Sequence, residues 1–154
     1  MKNLLFLITL FIIGCSSDDQ KIDNLRGLGL DKVTKDEEPG RFKHGGFVVY
    51  EKNGHGLVAA TEDLGRMDWE SAKTACKNLV LNGYDDWYLP SKGELNQLYV
   101  NLKQLGVGGF AWEDYWSSTE DYYGITAWSQ YFSSGRQSHY YKDNEYDVRA
   151  VRAF

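Results

Sequence analysis

Ten residues, Leu4 to Ile13, form an apolar run broken only by Thr9, with Lys2 before it and Gly14-Cys15 after it. A membrane-spanning helix takes about 20 such residues. The run is therefore a targeting segment over residues 1–14, with the basic start and small-residue end of a secretory signal. From residue 15 to residue 40 the pattern turns polar and charged and closes on Asp36-Glu37-Glu38-Pro39-Gly40. This stretch reads as a tether. A flexible chain of about 25 residues reaches roughly 25–30 Å, and Leu25, Leu28, Leu30 and Val33 supply apolar positions enough for a short docking piece.

Residues 41–154 carry the patterns of a folded domain. Phe47–Glu51 and Gly56–Thr61 read as two short strands, joined through Lys52-Asn53-Gly54-His55, and Asn-Gly is the turn chemistry a tight hairpin prefers. Asp68 then caps a helix whose apolar positions Trp69, Ala72, Cys76, Leu79 and Val80 follow a 3.6-residue period up to Asn82-Gly83. Ser91-Lys92-Gly93-Glu94 is a capping box that opens a second helix, with Leu95, Leu98, Tyr99 and Leu102 as its buried stripe. Pro90 keeps Leu89 extended just before it. Four short strands are predicted after that, near Tyr115–Thr119, Ala127–Phe132, Gln137–Tyr141 and Val148–Phe154, with Gly124, Ser134-Gly135 and Asp143-Asn144 as turns. Early helices, late strands and no βαβ alternation give an α+β domain, two helices on a twisted, mostly antiparallel sheet.

Charge narrows the partners. Lysine plus arginine number 17 and aspartate plus glutamate 22, a net of −5, and removing residues 1–14 takes away Lys2 and leaves −6. Nucleic-acid binding rests on a basic face, so neither DNA nor RNA is expected as a partner. Of the two cysteines, Cys15 ends the targeting segment and Cys76 lies on a helix stripe. The exported domain thus has no internal disulfide and relies on its core.

Ile12-Ile13-Gly14-Cys15 resembles the lipobox of bacterial lipoproteins, in which the cysteine becomes the acylated N-terminus. That resemblance implies lipidation of Cys15 and membrane partnership through the lipid, where each buried methylene contributes roughly 0.8 kcal/mol. Ser16-Ser17-Asp18-Asp19-Gln20 resembles the surface-export signal of certain Gram-negative lipoproteins, which implies an outer-membrane, surface-exposed location.

Four motifs then occur in order. Gly45-Gly46-Phe47-Val48-Val49-Tyr50 with Gly56-Leu57-Val58-Ala59-Ala60 comes first, and Asn82-Gly83-Tyr84-Asp85-Asp86-Trp87-Tyr88-Leu89-Pro90-Ser91-Lys92-Gly93-Glu94-Leu95 second. Tyr115-Trp116-Ser117-Ser118-Thr119-Glu120 and Val148-Arg149-Ala150-Val151-Arg152-Ala153-Phe154 complete the set. The chain from Gly45 onward resembles the Lcl C-terminal domain family. The resemblance implies a C-type-lectin-like fold, which hosts binders and enzymes alike. The Trp-Tyr-Leu-Pro-Ser…Glu run is also similar to formylglycine-generating enzymes. The sugar-holding Glu-Pro-Asn, Gln-Pro-Asp and Trp-Asn-Asp motifs of calcium-dependent lectins are missing, and so is the cysteine pair of the formylglycine-generating enzymes.

The sequence offers no catalytic constellation. Ser117-Ser118 lacks the setting of a nucleophile elbow, His44, His55 and His139 have no metal-site spacing, and Cys76 reads as a buried structural thiol. No cofactor is expected, with calcium at Asp85 and Asp86 the one weak candidate, because that ion takes oxygen ligands. Ten of the 23 aromatic residues fall between positions 112 and 141, which makes this stretch the place to look for a contact surface. The family resemblance implies that Tyr115, Trp116 and Trp128 belong to the core. Tyr122, Tyr123, Tyr140 and Tyr141 lie near turns, and Arg136, Gln137 and His139 adjoin them with hydrogen-bonding groups. The expected ligand-binding set is Tyr122, Tyr123, Arg136, His139, Tyr140 and Tyr141, with the loop from Leu105 to Asp114 as the fallback. The reading is a non-enzymatic recognition or adhesion module that binds a glycan or a protein. The alternatives are an enzyme related to formylglycine-generating enzymes and a purely structural envelope protein.

Overall fold

The structure is a computed structural model that describes residues 38–154; the apolar run, Cys15 and the tether up to residue 37 lie outside the described residues. β1 (Phe42–Lys43), β2 (Gly46–Lys52) and β3 (His55–Ala59) form an antiparallel meander. Its tight turn is built by Asn53 and Gly54, both at positive φ (54° and 80°), the geometry the Asn-Gly pair predicts. Gly46 is required by close approach, because a Cβ there would strike the Ala59 carbonyl oxygen across the ladder.

β4 (Arg66–Met67) leads into α1 (Trp69–Lys77), and α2 (Lys92–Asn101) follows with a 3-10 turn at Lys103–Leu105. Both caps form as the residues dictate. Asp68 accepts from the Ser71 amide at 3.0 Å, and Ser91 and Glu94 close their reciprocal box. β5 (Asp114–Glu120), β6 (Thr126–Tyr131), β7 (Arg136–Tyr141), β8 (Tyr146–Asp147) and β9 (Val151–Ala153) complete the chain.

The strands form two sheets rather than the one the sequence suggests. One has the order β1-β2-β3-β9 and the other β4-β8-β5-β6-β7, antiparallel except for β5 against β8. α2 packs on β2 of the first sheet and on β5 and β6 of the second. Neighbouring residues on the central strands are buried on both sides. Val48 and Trp116 join Trp69, Ala72 and Cys76 of α1 in one cluster, while Val49 and Tyr115 join Leu95, Leu98 and Leu102 in another. Consecutive buried residues replace the alternation of a one-sided strand. The domain is α+β.

Two boundaries move. α1 stops at Lys77, where the Asn78 amide donates to the Thr74 carbonyl, so Val80 lies past the helix and is 73% exposed rather than on a buried stripe. The closing strand is Val151–Ala153 only, and Val148 to Ala150 run against the 60–65 loop, with the Leu64 amide on Val148 O and the Ala60 amide on Ala150 O. Arg149 and Arg152 therefore do not share one strand. Arg149 is buried and its Nε donates to Asp63 at 2.6 Å, while Arg152 pairs with Asp86 nearer the surface.

Candidate functional site

The turn between β5 and β6 is braced on both sides. Asp121 Oδ1 accepts the amides of Ile125 and Thr126, each at 3.0 Å, and these bonds, Thr126 first, hold its carboxyl below the usual carboxylate range. Lys142 Nζ donates to the Gly124 carbonyl at 2.8 Å and to Glu120 at 3.0 Å. On this frame Tyr122 is 95% exposed and Tyr123 78%, their rings edge to face at 5.2 Å. Exposed Ile125 follows, and exposed Tyr141 is the ladder partner of Thr126. Three of the six expected residues are thus gathered at one end of the second sheet.

Of the other three, only His139 lies beside them. Tyr140 faces the opposite side of β7, half-buried against the α1 cluster and edge to face with Tyr146 at 5.3 Å. Strand alternation sends adjacent residues to opposite faces, so the Tyr140-Tyr141 pair divides. Arg136 pairs in register with Tyr131, and Tyr131 with Asp114, which places it at the far end of the strands. His139 is exposed on the Tyr141 face, with its Nδ1 3.0 Å from Thr126 Oγ1 and its ring 5.3 Å from Trp128. Trp128, expected in the core, is only half-buried, and Lys92 Nζ sits 3.1 Å from its ring centroid. Core burial fell to its neighbours Ala127 and Ser129 instead.

At that far end stands a second surface. The loop after α2 carries Trp112, 67% exposed, with Lys103 Nζ 3.9 Å from its ring centroid and donating to the Phe110 carbonyl at 2.6 Å. Open grooves of about 300 and 230 Å³ share Lys103, Gln104 and Trp112. A tryptophan following a glycine-rich, non-periodic stretch is the sequence signal for such a site, and it falls in the Leu105–Asp114 loop.

Of the two carboxylates considered for calcium, Asp86 already holds Arg152. Asp85 is exposed. Among the described residues no three histidine, cysteine or acidic side chains stand together as a metal site. Ser117 Oγ donates to the Trp128 carbonyl at 2.8 Å. Cys76 is fully buried in the α1 cluster, and burial pushes its thiol up to about 12. Iodoacetamide at pH 8 should leave Cys76 unmodified in the native protein and alkylate it in denaturant; fast native labelling would show that the α1 face opens.

Residues 46–152 match the Lcl C-terminal domain, and the chain belongs to that family. No curated protein matches it. Among solved structures it is similar to botrocetin, at 12% identity and a TM-score of 0.44 over 68% of this chain and 94% of that one. It is also similar to a complex of botrocetin with a mutant von Willebrand factor A1 domain, at 11% identity and a TM-score of 0.40 over 66% and 92% of the two chains.

Proposed function

We propose that the chain is a bacterial envelope lipoprotein, lipidated on Cys15, whose family domain is a non-enzymatic recognition module for a glycan or protein ligand. The observation that carries the reading is the braced β5–β6 turn. Nothing in the fold asks Tyr122, Tyr123, Ile125 and Tyr141 to be exposed together, and clustered exposed apolar side chains mark contact surfaces. The brace by Asp121 and Lys142 holds the rings ready, which lowers the ordering cost of binding. Tyrosine adds a hydroxyl at the edge of a flat apolar face, suited to both glycans and protein interfaces. The anchor supplies the location, with the domain lifted from the membrane on the tether.

The lipid-bearing chain in detergent, screened against glycan and matrix-protein arrays, tests the reading. The expected result is a ligand whose binding is lost in the Tyr122→Ser/Tyr123→Ser/Tyr141→Ser variant at unchanged melting temperature. Full binding by that variant eliminates the site. Metabolic labelling with a fatty-acid analogue should disappear in Cys15→Ala, and undiminished label would sink the anchor.

A further inference from the structure

We infer that the loop between α2 and β5 carries a second binding site, a cleft in which one neutral saccharide residue stacks on Trp112. It lies at the opposite end of β5 from the tyrosine turn and takes from the proposed function only the premise that the domain has ligands.

Trp112 departs from the tryptophans that build the fold. Trp69, Trp87 and Trp116 are at most 2% exposed, whereas Trp112 is 67% exposed in a loop. The loop is nevertheless fixed from beneath. Arg149 donates to the Gly108 carbonyl at 2.9 Å and lies 4.1 Å from the ring centroid of Phe110, while the Ala111 amide donates to the Tyr115 hydroxyl at 2.7 Å. An exposed indole on a fixed loop is a prepared surface rather than a leftover of folding.

The lining selects the ligand. Lys103 stands 3.9 Å from the indole centroid, which leaves the opposite face of the ring for the C–H face of a pyranose. Gln104, which lines the same groove, supplies donors and an acceptor for hydroxyls at the edge of the ring. A purely apolar ligand would leave those groups without partners, at a cost. An anion is disfavoured as well: Lys103 already holds a carbonyl and a π-face, lies in the field of Asp63, and belongs to a chain of net charge −5. The larger groove, about 300 Å³, is at the small end of ligand sites, which run from about 300 to 1,000 Å³, so one ring rather than a long oligomer is the unit recognised.

The test uses the full chain in detergent and follows the indole N–H resonances of its five tryptophans, with Trp112 assigned from its loss in Trp112→Phe. Methyl glucoside, methyl galactoside, methyl mannoside, N-acetylglucosamine and, separately, glucuronate are titrated. At least one neutral sugar should shift the Trp112 resonance and leave those of Trp69, Trp87 and Trp116 in place. Trp112→Ala should weaken that binding by about tenfold or more, and Gln104→Ala should weaken it to a lesser degree. Tyr122→Ser/Tyr123→Ser should leave it unchanged, which separates this site from the tyrosine turn. The assignment is overturned if no neutral sugar moves Trp112, if only glucuronate binds, or if binding survives Trp112→Ala.

Discussion

Arg149→Met should destabilise the domain by about 3–5 kcal/mol, the cost of breaking a buried charge pair. Arg149 is 1% exposed and serves four partners at once. Its Nε holds Asp63, one terminal nitrogen donates to Ala60 O at 3.0 Å and Gly108 O at 2.9 Å, and the guanidinium lies over Phe110. Methionine fills much of the same volume, so the loss is chiefly of bonds. Two carbonyls lose their donor, and Asp63 is left with the Tyr115 hydroxyl at 2.7 Å. The melting temperature should fall by roughly 10 °C or more. Arg152→Met is the control. Its partner Asp86 has a side chain 55% exposed, and such pairs contribute under about 1 kcal/mol. A change of less than about 2 °C in Arg149→Met would contradict the burial of that arginine. Replacing Arg149 and Asp63 together by apolar residues should recover part of the loss, because the carboxylate would no longer be stranded.

That network marks where the sequence stops being legible. The caps of α1 and α2 and the Asn53-Gly54 turn could be read because each is decided within four residues: Asp68 finds Ser71, and Ser91 finds Glu94. The sequence does not say which of Arg149 and Arg152 takes an internal carboxylate: Asp63 lies 86 residues from Arg149, and no local pattern marks that aspartate over its neighbours. β4 and β8 have two residues each, too few for any period, and are set by pairing alone: Arg66 and Met67 meet Asp147 and Tyr146, and Asp147 meets Tyr115 of β5. The same limit shaped the site. Turn signals located Tyr122 and Tyr123 correctly at an exposed tip, but the one-residue alternation of β7, which turns Tyr140 inward and Tyr141 outward, depended on a register fixed by β6. Trp128 was misplaced for the same reason: pairing with His139 turns it away from the face on which Ala127 and Ser129 are buried.

Trp87→Ala should destabilise by about 3–5 kcal/mol and Leu98→Ala by about 2–5 kcal/mol, and the two losses should add. Trp87 is 2% exposed in the cluster that α1 covers, and Leu98 is fully buried in the cluster that α2 covers. The indole is fitted closely. Its Nε1 donates to Tyr84 O at 3.2 Å, and its Cη2 would lie 3.2 Å from a Cβ on Gly46, so that glycine makes room for the ring edge. Alanine leaves a void that β2 cannot fill, since Val48 and Val49 of that strand are already buried on both faces. Leu98 lies on the α2 face, so its loss empties the other side of the same strands. Sites with no shared partner add to within about 0.3–0.5 kcal/mol. One cooperative thermal transition with a summed loss would therefore show that two separately packed faces of β2 and β5 form a single folding unit. Two resolved transitions, or shifts under about 2 °C in both single variants, would mean that the clusters are not the core assigned to them.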